Sequence, residues 1–123
     1  MKRGDLMRYI SEMYGADAEY PWVKYPDYAV FRHKSNNKWF ALIMSVPYDK
    51  LGLTGTGLTD IVNVKCGPLL AGSLLSERGI YEAYHMNKAN WVSAALDGSV
   101  DGDKIKALID MSFNLTLPKS KNK

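Results

Sequence analysis

Apolar residues recur every three or four positions near both ends of the chain, which is the spacing of an amphipathic helix. In the first segment they are Leu6, Ile10 and Met13. In the last segment they are Ile105, Leu108, Ile109 and Phe113. Gly15 is a typical end for the first helix, and Ser99 or Asp101 is a typical N-cap for the last one. The pattern therefore predicts a helix at each end of the chain.

Five segments between these helices are rich in β-branched and aromatic residues, which favours strands: 28–33, 38–46, 60–65, 80–85 and 91–96. A short polar stretch separates the first strand from the second, and another separates the fourth from the fifth. Each of these two pairs is therefore predicted to form a β-hairpin.

A short helix is predicted between the third and fourth strands. Pro68 suits its first position, because a helix leaves that N–H without an intrahelical partner. We expect Leu70, Leu74 and Leu75 to form its buried face and Gly79 to cap its C-terminus. The order α-β(3)-α-β(2)-α favours an α+β fold, in which helices pack on one face of an antiparallel sheet. The opposite sheet face would then be partly solvated or covered by a partner.

Charge is nearly balanced, with 16 basic and 13 acidic residues. Lys119, Lys121 and Lys123 account for the surplus, since the rest of the chain carries 13 of each sign. We predict one domain over residues 1–117 and a basic, disordered tail over 118–123. A single cysteine, together with the lack of an apolar run long enough to span a bilayer, predicts a cytoplasmic protein that binds no membrane.

Candidate catalytic groups are few. Cys66 and His85 could be imagined as a nucleophile and its base, but the sequence offers no group to orient the histidine and no oxyanion donors. A lone cysteine at a strand end is more often a small buried apolar residue. His33 and His85 are too few and too far apart to predict a metal site. The sequence therefore predicts a protein that is not an enzyme and has no metal or cofactor.

The tips of the two predicted hairpins carry basic and amide side chains, which can contact phosphates and base edges. These residues are Arg32, Lys34, Lys38, Asn87, Lys88 and Asn90. The alternative is that charged tips only keep the protein soluble and protect the sheet edges. Trp39 and Trp91 are assigned to core packing before base stacking, because strand aromatics usually bury a large apolar area.

Several sequence runs resemble the MmcQ/YjbR family. They are Tyr84-His85-Met86-Asn87-Lys88 followed by Trp91, Leu96-Asp97-Gly98-Ser99, Asn63-Val64-Lys65-Cys66 with Pro68, and Val30-Phe31 with Trp39-Phe40-Ala41-Leu42. The match as a whole covers residues 3–117, with these runs in the same order as in the family. The resemblance implies a frataxin-like (CyaY-like) fold and DNA binding, with the two hairpins acting as a double wing.

The run from Tyr84 to Lys88 also has a structural interpretation. Met86 can fill a gap in the core, Asn87 can adopt a left-handed turn, and His85 can hold the hairpin through a backbone hydrogen bond. Two functional hypotheses follow. The first is a non-enzymatic protein that binds duplex DNA through its hairpin tips. The second is a module that binds a protein or small ligand on its open sheet face, through exposed aromatics such as Trp22 or Tyr84.

Overall fold

The computed structural model describes residues 1–118, which form three helices, five strands and a 3-10 turn at Tyr48–Leu51. The helices are α1 (Arg3–Tyr14), α2 (Pro68–Leu74) and α3 (Gly102–Leu115). The strands are β1 (Ala29–Arg32), β2 (Trp39–Pro47), β3 (Leu58–Lys65), β4 (Ile80–Glu82) and β5 (Trp91–Ala95). This order confirms the predicted α-β(3)-α-β(2)-α arrangement. Of the predicted tail 118–123, all but Pro118 lies outside the described residues.

The strands form one sheet in the order β1-β2-β3-β5-β4, and every neighbouring pair is antiparallel. β1, β3 and β4 therefore run one way, and β2 and β5 run the other. As a result the β1–β2 turn (33–38) and the β4–β5 loop (83–90) leave the sheet at the same end, which we call the hairpin end. The C-terminus of β3 lies between them, and the other end is called the distal end.

Side chains alternate between the two sheet faces, and both faces are buried over much of the sheet. On the first face, Ile43, Val62 and Val92 join one core cluster with Ile10 of α1 and Ile105 of α3. Ala71 and Leu74 of α2 belong to the same cluster, so all three helices contribute to this face. The α+β fold class is thereby confirmed.

The second face carries its own apolar cluster, which includes Leu42, Met44 and Ile61. No helix covers it among the described residues. Instead Trp22, from the connection before β1, and Met86, from the β4–β5 loop, pack against it. This face is therefore partly covered by loops of the chain itself.

Details of the helix predictions were wrong. Met13 is 58% exposed, because the inward face of α1 consists of Leu6 and Ile10, with larger residues packing at its margins. Leu70 and Leu75 are also exposed, since α2 has only seven residues and turns only one narrow side to the sheet.

The predicted cap at Gly79 was also wrong. α2 ends at Leu74, and Gly79 instead forms the turn before β4, with φ of 83°. There a Cβ atom would overlap the side chains of Ser99 and Val100. Glycine is therefore required by the turn and by its close neighbours, not by the helix.

Candidate nucleic-acid interface

The β1–β2 turn is held in place by its own backbone and by the end of α3. The His33 N–H donates to the Lys38 carbonyl over 2.9 Å, which closes the turn. The Asn36 side chain accepts from the Lys38 N–H over 3.0 Å and donates to the Thr116 carbonyl over 2.9 Å. Lys34 and Lys38 are exposed on this anchored turn.

His33 is buried beneath the same turn. Its Nε2 lies 3.1 Å from the Phe113 carbonyl oxygen and 2.8 Å from the Thr116 hydroxyl oxygen. The ring also packs against Phe40 and Phe113. Burial lowers the pKa of His33, and the hydrogen bond to Phe113 only partly opposes that effect. The neutral ring of His33 therefore connects the β1–β2 turn to the end of α3.

The β4–β5 loop is anchored to the second sheet face by two fully buried polar residues, Asn63 of β3 and Ser93 of β5. The Asn63 amide donates to the Tyr84 carbonyl over 2.9 Å, and the Tyr84 N–H donates to the Ser93 hydroxyl oxygen over 3.1 Å. The Ser93 hydroxyl in turn donates to the Asn63 side-chain oxygen. Side chains thus satisfy the backbone of Tyr84, so β4 ends at Glu82 instead of continuing to His85 as predicted.

Asn87 and the backbone around it shape the rest of the loop. Its side-chain oxygen accepts from the Ala89 N–H over 2.9 Å, and its carbonyl accepts from the N–H groups of Asn90 and Trp91. The left-handed residue is His85, with φ of 62°, and the prediction that Asn87 adopts this conformation was wrong. These hydrogen bonds give the run from Tyr84 to Lys88 a structural role, which is to fix the shape of the β4–β5 loop.

Exposed lysines gather at the hairpin end. Lys34 and Lys38 lie on the first turn and Lys88 on the second loop, while half-buried Lys65 ends β3 between them. Arg32 lies here too, but its Nε is 2.8 Å from Glu19 Oε2, so its charge is already balanced. The sequence analysis did not single out Lys65, because its place between the hairpins follows only from the strand order.

Carboxylates favour the distal end. Each of the five strands has one at or near its distal end: Asp60 lies inside β3, and Asp27, Asp49, Glu77 and Asp97 lie in the segments that flank the other strands. Some are paired, as Arg3 lies 3.2 Å from Asp60 and Lys104 lies 3.3 Å from Glu77. The hairpin end has fewer, namely Asp17, Glu19 and Glu82. The carboxylates are therefore distributed unevenly along the strands, whereas basic residues occur at both ends, with Arg3, Arg78 and Lys104 near the distal carboxylates.

The last described residues lie at the hairpin end. Leu117 lines the same shallow cavity as Lys34 and Ser35 of the first turn. Lys119, Lys121 and Lys123 follow within six residues of it along the chain and lie outside the described residues.

An aromatic pocket of about 270 Å³ opens on the second sheet face. Its walls include Trp22, Tyr25, Tyr28, Trp39, His85 and Met86. The indole rings of the two tryptophans are perpendicular, with centroids 5.6 Å apart, and the two tyrosine rings stack at 4.6 Å. Burial raises the pKa of Tyr28, with smaller contributions from Tyr84, Tyr25 and Asp27. Its phenol therefore stays protonated over a wider range than usual.

This pocket changes the assignment of the tryptophans. Trp91 is 9% exposed, which confirms its role in packing, whereas half-buried Trp39 both packs on the second face and lines the pocket. The sequence held one signal for the site, the aromatic residues Trp22 and Tyr25 in a proline-containing connection where no strand or helix was predicted.

The structure separates the one nucleophile–base pair suggested by the sequence. Cys66 belongs to the core cluster on the helix-covered face, whereas His85 lines the pocket on the other face. Burial raises the pKa of the Cys66 thiol, which keeps it in its less reactive form. Among residues 1–118 no group of three or more His, Cys, Asp or Glu side chains is arranged to hold a metal ion. Within the same range, no helix is long and apolar enough to cross a bilayer.

Fold and site together define an α+β protein with three helices against one face of a five-strand antiparallel sheet and two hairpin tips at one end. A family model described as YjbR matches residues 11–115. The chain therefore belongs to the YjbR family, which confirms the resemblance in its sequence runs.

Similar proteins cover nearly the whole chain. "Uncharacterized protein YyaQ" of Bacillus subtilis (strain 168) is 44% identical over 116 residues, which are 94% of this chain and 98% of that protein. A crystal structure of a Pseudomonas syringae protein has a TM-score of 0.94 at 44% identity and covers 95% of this chain and 100% of its own. The Deinococcus radiodurans protein DR2400, described as a DUF419-domain protein, shares the fold, with a TM-score of 0.71 at 21% identity over 98% of this chain and 83% of its own.

Proposed function

We propose that this protein binds duplex DNA through its two hairpin tips and catalyses no reaction. The observation that carries the proposal is that both tips leave the sheet at one end, with Lys34, Lys38 and Lys88 exposed on them. Lysines on two protrusions that face the same way can contact one phosphate backbone surface together. In this arrangement Asn87 and Asn90 sit beside Lys88 and supply hydrogen bonds to bases or sugars.

The spacing of the two tips supports the same function. Only β3 separates the inner strands β2 and β5, so the near sides of the tips start two strand spacings apart, about 10 Å, and the hairpin centres lie three spacings apart, about 14 Å. Both separations are comparable to the roughly 12 Å width of the DNA major groove. Phosphates on both sides of one groove are thus within reach of lysines from both hairpins.

Charge polarity supplies the second argument. DNA would meet the lysines of the hairpin end, while the carboxylate-rich distal end points away. Such contacts release condensed counterions, so the affinity should decrease steeply as the salt concentration rises. In a plot of the logarithm of the binding constant against the logarithm of the salt concentration, each phosphate contact should add about −0.9 to the slope.

The test is fluorescence anisotropy of a labelled duplex across a salt series. Lys34→Gln with Lys88→Gln should weaken binding and reduce the salt slope by roughly 2. The matched control is Lys2→Gln with Lys104→Gln, which removes two charges at the distal end and should leave affinity and slope nearly unchanged. Equal effects of the two double variants would contradict hairpin binding.

A second set of full-length variants isolates the tail. Replacing Lys119, Lys121 and Lys123 with glutamine should leave most of the salt-dependent binding in place. If that variant loses all binding, the tail lysines alone attract DNA and the hairpin proposal is wrong.

One observation favours the other hypothesis, a module for a small ligand or a protein. The aromatic pocket is open on the second sheet face, and Tyr25 in its wall is 46% exposed. Binding of this kind would depend little on salt and would weaken when Tyr25 is replaced. The frataxin-like comparison and the cytoplasmic location stay predictions.

A further inference from the structure

Three lysines adjoin wall residues of the aromatic pocket along the chain. Lys38 precedes the wall residue Trp39, Lys88 follows Met86 by two positions, and Lys24 lies between Trp22 and Tyr25. Asp27 adjoins Tyr28 where β1 begins, at the end of the pocket away from the hairpin tips. Glu19 lines a neighbouring shallow pocket with Trp39, where it is paired with Arg32. A cage for a methylated ammonium ion would need the opposite balance, because these lysines repel a cation. The surrounding charge instead suits a ligand that carries an anionic group.

The shape of the pocket suits a single flat ring. Its volume of about 270 Å³ is at the small end for ligand sites, too small for most folded peptide segments. The perpendicular rings of Trp22 and Trp39 form a corner in which a planar ligand stacks on one indole and meets the edge of the other. Met44 and Met86 add polarizable surface that adapts to different heteroaromatic rings.

We infer that the pocket takes one unpaired nucleobase of a nucleotide whose phosphate lies against Lys38 or Lys88. The inference rests on the proposed function for its phosphate contacts and adds a site that reads an extruded or single-stranded base. Stacking on aromatic side chains tolerates every base, because each has a π-face. The hydrogen bonds from Asn63 and Ser93 to the Tyr84 backbone would then position the next two residues, His85 and Met86, as one wall of the site.

The test uses the full-length protein and three probes: a short oligothymidylate, an abasic oligonucleotide of equal length, and thymidine monophosphate. Base stacking should quench the fluorescence of Trp22 and Trp39, whereas buried Trp91 lies outside the pocket. We expect the oligothymidylate to quench and to bind roughly five-fold or more tightly than the abasic strand. Quenching by the monophosphate alone would identify a free nucleotide as the source of the base and would still support the site.

The variants separate the pocket from the phosphate contacts. Tyr25→Ala should abolish most of the advantage of the oligothymidylate over the abasic strand, and Trp22→Leu should do the same. The matched control is Tyr20→Ala, an exposed tyrosine of the same connection that does not line the pocket. Thermal unfolding of each variant shows whether the fold is intact, and the comparison of probes on the unmodified protein needs no variant.

Failure of the nucleobase site and failure of the proposed duplex binding would give different results. Equal affinity for the oligothymidylate and the abasic strand, with no quenching by any probe, would overturn the nucleobase site even if salt-dependent duplex binding persisted. Loss of salt-dependent duplex binding would overturn the proposed function, while quenching by the monophosphate would show that the pocket still accepts a base.

Discussion

The network of Asn63, Ser93 and the Tyr84 backbone can be tested by a double-mutant cycle. Ser93→Ala leaves the part-buried Tyr84 N–H without its acceptor and the buried Asn63 oxygen without its donor. Each buried polar group left unpaired costs about 1–3 kcal/mol, and the partial exposure of the Tyr84 N–H keeps its cost at the lower end, so the expected loss of unfolding free energy is about 2–4 kcal/mol. Asn63→Ala removes the donor to the Tyr84 carbonyl and the acceptor for Ser93, and a similar loss is expected. Either loss is a large fraction of a typical domain stability of roughly 5–15 kcal/mol.

Both single variants break the Asn63–Ser93 hydrogen bond, so their effects cannot be additive. The double variant should be less destabilised than the sum by about 1 kcal/mol, the usual net contribution of one hydrogen bond. Urea unfolding followed by tryptophan fluorescence measures each value, and an unchanged m-value shows that the two-state treatment holds. Ser35→Ala, on the exposed first turn, is the matched control and should change stability by less than about 0.5 kcal/mol. A Ser93→Ala variant as stable as this control, or additive single effects, would refute the anchoring argument.

Three further predictions test other parts of the fold. Burial lowers the pKa of His33, so as the pH falls the histidine is protonated in the unfolded chain at a higher pH than in the folded protein. The melting temperature should therefore decrease below about pH 6.5, and His33→Asn should make that decrease smaller. Because Cys66 is buried and burial raises its pKa, a thiol reagent should modify it on the order of 100-fold more slowly in the native protein than in urea, and equal rates would contradict its burial. Gly79→Ala should cost about 1–2 kcal/mol for its positive φ plus the overlap with Ser99, whereas Gly4→Ala, with open space around it, should be neutral or slightly stabilising in denaturant titrations.

Local rules predicted the parts of the fold that depend on neighbours along the chain. The helical spacing of Leu6 and Ile10 predicted α1, and Gly15, with φ of 64°, predicted where it ends. The polar turn between two β-rich segments gave the first hairpin, because a short turn leaves few alternatives to antiparallel pairing.

Features that depend on distant residues could not be predicted in this way. The end of β4 was placed at His85, because nothing near Tyr84 in the sequence shows that Asn63 and Ser93 would bind its backbone. Leu70 looks apolar enough for a core, yet α2 is too short to turn it toward the sheet. The pocket combines Trp22 with Met86, residues 64 positions apart, and so exists only once both loops lie on one sheet face.

Outside Lys119, Lys121 and Lys123 the chain carries 13 charges of each sign, so composition alone does not indicate a nucleic-acid surface, and the strand order adds information about where the charges lie. In this antiparallel sheet, residues that follow β1, β3 and β4 share one end with residues that precede β2 and β5. Four lysines lie at or next to these positions together with Glu82, whereas four carboxylates flank the strands at the distal end, together with Arg78. A sum of charges does not depend on this sorting, but the potential that an approaching phosphate experiences does. Binding that weakens when lysines at the hairpin end are replaced, and not when lysines at the distal end are, is therefore the result that composition alone would not predict.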